Sequence, residues 1–316
     1  MRRVAAVGGG TGMPLLLKSL LGVVETVDAI VTVADDGGSS GKLRDELDGF
    51  PPGDSRNCLV AMAGDSPLSR LFQYRFPRGE TLRGHALGNL IISALVDING
   101  DFRTALAVAG ELLGARGRVM SPSLEPLTLY AEVEPWPGMD NAAPARVTGQ
   151  CNVANRLRPL RAVGIEPAGA QACPEAVAAL GSADTIILGP GSLYTSIIAN
   201  LLVGGVGEAV REACAKKVFL CNTSVQRGET DGYTAADHLA ALRSAVGVEP
   251  DLMISSNTGI SKKGYAERAA HWEAVMVGTA AIEEIGPDHI VADLTDERQP
   301  TRHDPDKLGA LWREIL

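Results

Sequence analysis

The 316-residue chain carries 29 basic and 38 acidic side chains, for a formal net charge of −9. That balance argues against nucleic acid and anionic membrane as main partners, since both call for a basic footprint. With 45% hydrophobic residues and 36 glycines, it reads as one α/β domain over residues 1–316 with many strand–helix turns.

The five cysteines are scattered, with no C-x-x-C pair. They fit a reducing cytoplasm, with neither disulfide framework nor zinc site. Arg2-Arg3 ahead of an apolar stretch imitates a signal peptide, but a glycine loop interrupts the stretch and Lys18 and Glu25 follow early. No stretch reaches the ~18 uninterrupted apolar residues of a membrane span. A cytoplasmic location is expected.

The first element is a strand, Arg3-Val4-Ala5-Ala6-Val7, running into Gly8-Gly9-Gly10-Thr11-Gly12 and then a helix from Met13 to Leu20. A glycine loop before a helix start brings unpaired N–H groups and a positive dipole end to an anion. Gly9, Gly10, Thr11 and Gly12 are therefore candidate phosphate contacts. The loop lacks the third glycine of the dinucleotide fingerprint and the lysine of a P-loop, so a plain tight turn stays open. A second strand, Asp28 to Ala34, ends in Asp35-Asp36-Gly37-Gly38-Ser39-Ser40-Gly41. Asp35 stands 35 − 12 = 23 positions after Gly12, the spacing of a ribose-binding acid. Asp35 and Asp36, with Ser39 and Ser40, could instead hold Mg²⁺ bridging to a diphosphate, or simply be solvated turn acids.

Residues 54–115 read as mostly helical. Asp54 or Ser55 is the expected N-cap of the first helix, and Arg56 and Asn57 just inside it could bind an anion or merely cap. Leu68 to Phe76 has helical spacing, and Gly84 to Leu95 reads as a buried helix with His85 and Asn89 on one face at i, i+4. A core role is the plainer reading for that histidine. Asp101 to Leu113 forms a further helix. Residues 117–166 then turn β-rich, a small subdomain or an edge extension, with short strands at Arg118–Met120, Leu127–Val133, Ala145–Gly149 and Leu160–Ile165 between proline-rich turns.

From Pro174 the βα rhythm resumes. Ala183 to Leu188 is a strand, followed by Gly189-Pro190-Gly191-Ser192 and a helix from Leu193. This is a second candidate cradle, in which Ser192, Thr195 and Ser196 could donate hydroxyl hydrogen bonds, or a capped helix start. Further strands are expected at Lys217–Asn222, Asp251–Asn257 and His289–Asp293, a helix near Thr234, and a last helix after Arg302-His303-Asp304-Pro305.

Such alternation predicts a Rossmann-like, doubly wound, mostly parallel sheet with a helical insertion and a small β-rich subdomain. Ligands of such sheets bind outside the strands' carboxyl ends. Gly8–Gly12, Asp35–Gly41, Gly189–Ser196, Asn222–Thr230 and Asn257 all follow strand ends, so they should gather along one edge. Two cradles suit a diphosphate-bridged ligand, a nucleotide sugar or a dinucleotide, and NAD(P) remains an alternative through the glycine loop and Asp35. Tyr265 is a candidate to stack on a base and Arg302 to contact phosphate. No serine nucleophile elbow, zinc signature or kinase set appears.

Several long motifs resemble the YvcK family. They are Gly-Gly-Gly-Thr-Gly at 8–12, Thr-Val-Ala-Asp-Asp-Gly-Gly-Ser-Ser-Gly at 32–41, Gly-Asp-Ser-Arg-Asn-Cys-Leu at 53–59 and Leu-Phe-Gln-Tyr-Arg-Phe at 71–76. Gly-His-Ala-Leu-Gly-Asn-Leu at 84–90, Leu-Gly-Pro-Gly-Ser-Leu-Tyr-Thr-Ser-Ile at 188–197 and Arg-His-Asp-Pro at 302–305 extend the match over nearly the whole chain. Ser55 and Ser224-Val225-Gln226-Arg227 depart from the family's usual residues. The resemblance implies a cytoplasmic gluconeogenesis factor with a CofD-like fold. It also implies binding of UDP-N-acetylglucosamine-type sugars and a role in cell shape and wall synthesis on gluconeogenic carbon sources. A regulator is expected, with a protein partner and a homo-oligomeric state open. The alternative is a transferase related to 2-phospho-L-lactate transferase, with Asp36, Asp54 and Asn89 around a metal-bound diphosphate and Asp36 and Asp54 as metal ligands.

Overall fold

The computed structural model describes residues 2–34, 37, 49–134, 145–154, 160–226, 228–257 and 286–316. Seven parallel strands form the main sheet: β1 (Arg3–Gly8), β2 (Thr26–Val31), β3 (Arg118–Met120), β7 (Thr185–Leu188), β8 (Lys216–Leu220), β9 (Leu252–Ser256) and β10 (Asp288–Ala292). Their order is β10-β9-β8-β7-β1-β2-β3. Val4 to Val7 and all of β7 are buried. Continuous apolar runs of this kind belong to parallel strands covered on both faces.

The order reverses at β1. From there the chain runs to β2 on one side, and it reaches β7 on the other only after the helical segment and a separate small sheet. The carboxyl ends of β1 and β7 therefore flank a topological switch point, the usual seat of a ligand in open α/β sheets.

Helix α1 (Met13–Leu20) buries Met13, Leu16, Leu17 and Leu20, an i, i+3, i+4, i+7 stripe. It packs against α2 (Gly53–Ala63) and the last helix, α11 (Pro305–Ile315). There Trp312 Nε1 donates to Ser19 Oγ at 3.0 Å, with both residues buried. The helical segment continues with α3 (Pro67–Gln73), α4 (Leu87–Asn99) and α5 (Phe102–Leu113). Ser66 and Asp101 cap α3 and α5 by accepting from Ser69 N and Thr104 N.

The small sheet has order β5-β4-β6, from β4 (Thr128–Val133), β5 (Ala145–Thr148) and β6 (Leu160–Glu166), with antiparallel pairings. The short helices α6 (Gln150–Ala154) and α7 (Pro174–Ser182) lead back to β7. Beyond β7, Leu193–Ile198 is a fully buried π-helical turn continued by α8 (Ala199–Leu201). Helices α9 (Val206–Glu212) and α10 (Ala235–Val246) connect the later strands.

Three sequence expectations are corrected. Arg118–Met120, grouped above with the β-rich unit, pairs in parallel with β2 and edges the main sheet. Helix α2 starts at Gly53 with Pro52 as N-cap, so neither Asp54 nor Ser55 caps it. His85 precedes α4, whose N-cap is Ala86, so His85 and Asn89 do not share a helical face. No helix among the described residues is long and apolar enough to cross a membrane.

Candidate functional site

The loops after β1 and β7 interlock. A Cβ on Gly8 would fall 2.7 Å from the Pro190 carbonyl oxygen, so the close approach of the two backbones requires glycine there. Gly189 N–H donates to Val7 O at 2.8 Å, and Asn200 Nδ2 donates to Gly8 O at 2.8 Å. The end of β1 is thus pinned from two sides.

Which N–H groups remain for an anion is a matter of accounting. Gly10 N–H donates to Asp54 Oδ2 at 2.6 Å. Those of Thr11 and Gly12 have no acceptor among the described residues. At the second junction Tyr194 N–H and Thr195 N–H both donate to Glu229 Oε1, at 2.8 and 2.9 Å. Ser196 N–H donates to Ser192 O. Gly191 N–H and Ser192 N–H keep no acceptor among the described residues. Ser192 Oγ donates to Gln226 Oε1 at 2.6 Å, tying the β7 loop to the β8 loop.

These loops enclose a crevice of about 240 Å³ at the switch point. It is lined by Gly10–Gly12, Pro190–Ser192, the polar run after β8, and Thr301–His303 before α11. No described lining residue is acidic, and Arg302 supplies a cation with no ion pair among the described residues. In a chain of net charge −9 that is a local inversion of sign. His303 is 4% exposed, and burial pushes its imidazole down to about 4 against the opposing effect of a hydrogen bond to the Cys221 backbone. Its Nε2 has no partner among the described residues, nor has the buried Thr223 Oγ1. The crevice thus offers backbone donors, a guanidinium, a neutral imidazole and an unsatisfied hydroxyl.

A larger cavity of about 640 Å³ lies beside edge strand β3. The ion pairs Arg103–Glu175 and Arg118–Asp28 border it. It lies away from the strand ends of the switch point, and none of the unsatisfied buried side-chain atoms belongs to its lining.

The family model for 2-phospho-L-lactate transferase CofD matches residues 4–311. The chain belongs to the CofD family. It is 39% identical to the gluconeogenesis factor of Halalkalibacterium halodurans, across 98% of this chain and 94% of that one. With the gluconeogenesis factor of Bacillus subtilis it shares 40% identity over 99% and 98%. A crystal structure of a UPF0052-family protein from Bacillus halodurans superposes with a TM-score of 0.91 at 39% identity, covering 98% of both chains.

Within this CofD-family chain the crevice gathers Gly10, Thr11, Gly12, Gly191, Ser192, Asn222 and Arg302 of the expected contacts. Others fall elsewhere. Gly9 is buried, with a Cβ there meeting Thr32 at 2.6 Å. Gly189 sits under the loop, where a Cβ would fall 2.7 Å from Leu220 O. Thr195 is 2% exposed and bonded to Glu229, so its hydroxyl does not serve as the expected phosphate donor. Arg56, Asn57, His85 and Asn89 lie in the helical segment, outside the crevice lining.

Asp35, Asp36, Ser39, Ser40 and Tyr265 lie outside the described residues. Of the expected metal pair only Asp54 is described, and no cluster of three His, Cys, Asp or Glu suited to a metal occurs among the described residues. Thr223, Gln226 and Glu229 fall in the Asn222–Thr230 stretch expected on this edge, but neither they nor His303 were singled out as contacts. His303 could have been found: it adjoins Arg302 in a polar turn before a helix, on the same edge as the glycine loop.

Proposed function

We propose that the crevice at the β1–β7 switch point binds the diphosphate of a nucleotide sugar of the UDP-N-acetylglucosamine type. In this reading Thr11, Gly12, Gly191 and Ser192 N–H groups hold phosphate oxygens and Arg302 adds a charge-assisted contact. His303, neutral at physiological pH, and Thr223 meet hydroxyl or imide groups of the ligand. The observation that carries this reading is a lining that has no acid and has unclaimed backbone donors among the described residues. The names of the similar Bacillus and Halalkalibacterium proteins support a gluconeogenesis factor, and a cytoplasmic regulator of cell shape and wall synthesis follows as the physiological proposal.

A transferase is the second reading. It is favoured by the family model's name and by Asp54, whose carboxylate sits on the glycine loop through Gly10. Asp54 with Asp36 and Asn89 would then surround a Mg²⁺-bound diphosphate. Titration calorimetry with UDP-N-acetylglucosamine and with NAD tests the ligand. Binding of the first and not the second is expected, and silence from both overturns the proposal. Incubation with the bound sugar nucleotide, Mg²⁺ and candidate acceptors, followed by mass spectrometry, separates the readings. Multiple turnovers lost in Asp54→Asn would replace the regulator with the transferase.

A further inference from the structure

The crevice does not account for Arg56. This arginine, in the first turn of α2, is 1% exposed and forms no ion pair among the described residues. Its Nη2 donates to Asn57 Oδ1 at 2.7 Å, while Nε and Nη1 have no partner among the described residues. A Cβ on Gly88 would fall 2.8 Å from Arg56 Cδ, so α4 lies directly on the stem of this side chain. Asn89, the next residue on α4, is 1% exposed and leaves its Oδ1 without a partner. Burial pushes the guanidinium down to about 10, and the neighbouring Arg75 acts in the same direction while Asp54 opposes both.

A buried cation without a counter-charge is costly, and such groups are normally paired. Asp54 is close enough to act on Arg56, but one of its oxygens already accepts from Gly10 N–H. Among the described residues, two guanidinium groups act against one carboxylate here, which leaves a local excess of positive charge. Arg56 holds its charge where water is excluded, while Arg75 is exposed and donates to Gly84 O at 2.9 Å.

We propose that Arg56 anchors a second anion site, for a phosphoryl group, on the helical side of the glycine loop. An unpartnered Arg56 nitrogen donates to the oxyanion, the exposed Arg75 contributes a second positive charge at its edge, and the Asn89 amide meets a further oxygen once turned end for end. The positive charge left over beside Asp54 calls for an anion, and the oxygens of a phosphoryl group can meet Arg56 and the Asn89 amide together. Asp54 then stands between this site and the crevice, so the protein takes two phosphorylated groups on either side of one carboxylate. This goes beyond the nucleotide-sugar reading and does not rest on it.

The test uses the full chain and inorganic phosphate as the probe, in an otherwise phosphate-free buffer. Arg302→Ala serves as the parent, because it weakens the crevice as a competing phosphate site. Phosphate should raise the unfolding temperature of this parent, and adding Arg56→Met should weaken the phosphate affinity about tenfold or more. Without phosphate, Arg56→Met in the otherwise unchanged chain should unfold at the same temperature as that chain or higher, because an unpaired buried charge has gone. An unchanged phosphate response in Arg56→Met overturns the proposal. So does an equal loss of stability with and without phosphate, which would mark Arg56 as a packing residue. If Arg56→Met does not fold, Arg56→Lys decides by ³¹P line broadening: weakened binding supports the site and unaltered binding overturns it. UDP-N-acetylglucosamine titrated into Arg56→Lys reports separately on the crevice, so that either reading can fail alone.

Discussion

The two glycine junctions of this protein look alike in sequence and differ in their chemistry. Each joins a buried strand to a helix through glycines, at 8–12 and 189–192. At the β7 junction a buried carboxylate, Glu229, already occupies the helix start, accepting from Tyr194 and Thr195 N–H. At the β1 junction the carboxylate of Asp54 takes one N–H, that of Gly10, and leaves Thr11 and Gly12 open to the crevice. A helix start therefore receives an external anion only where no acidic side chain has filled it. In the proposed binding mode the second cradle contributes through the loop ahead of its helix, by Gly191 and Ser192.

The most severe way to break this contrast is Glu229→Ala. It would strand two buried N–H groups and the Thr195 hydroxyl, which lies 3.4 Å from Glu229 Oε2. Charge-assisted bonds of this kind contribute roughly 1.5–3 kcal/mol each, so a loss of about 4 kcal/mol is expected in urea unfolding. A loss below about 0.5 kcal/mol, the scale of an ordinary surface change, would mean that the helix start is not held by Glu229.

The next largest effect is a pH dependence. His303 has its folded-state pKa pushed down to about 4 by burial, below the ordinary value of 6.5. The unfolded chain therefore takes up the proton first on acidification. The stabilisation is complete above pH 6.5 and is lost as pH falls through that window toward 4, to a total of about 3 kcal/mol. His303→Gln should remove this part of the slope. Parallel unfolding curves of the two proteins at pH 7 and pH 4.5, differing by a constant amount, would show that His303 is not held neutral.

Much of the sheet was legible in the sequence because parallel strands covered on both faces read as uninterrupted apolar runs: Val4 to Val7 and Ile186 to Leu188 could hardly be anything else. Arg118–Met120 could be read as part of a subdomain or of an edge extension because three residues carry almost no pattern, and its partner β2 lies far away in sequence. The same distance hid much of the site. Asp54 reads locally as a helix cap, and its actual donor is Gly10, 44 residues earlier. Glu229 reads as a loop acid, and its donors lie 34 and 35 residues earlier. Backbone donors announce themselves through glycine, whereas the side chains that claim them are set by tertiary placement.

Arg302→Ala sharpens the comparison from the ligand side. It removes the cation of a lining that is otherwise uncharged among the described residues and should weaken binding of UDP-N-acetylglucosamine about 10- to 100-fold in calorimetry. Stability should barely move, because Arg302 is exposed and makes no ion pair among the described residues. Unchanged affinity would shift the phosphate away from the wall that carries residues 301–303.

The gentlest test is Gly10→Ala, with Gly12→Ala beside it. Gly10 has φ +64°, a left-handed conformation that costs an alanine about 1–2 kcal/mol. A Cβ there would meet nothing within 4 Å, so the fold and the Gly10–Asp54 hydrogen bond should survive that strain. A Cβ on Gly12 would lie 3.0 Å from the Pro190 ring and press on the interlocked loops. The new methyl of Gly10→Ala also adds bulk at a residue that lines the crevice, ahead of the Thr11 and Gly12 donors. The expected signature is a stability loss of about 1 kcal/mol with a clear fall in nucleotide-sugar affinity. If Gly10→Ala binds as well as the unaltered chain while Glu229→Ala does not, the occupied helix start would be the one after β7, and the contrast between the two junctions would be reversed.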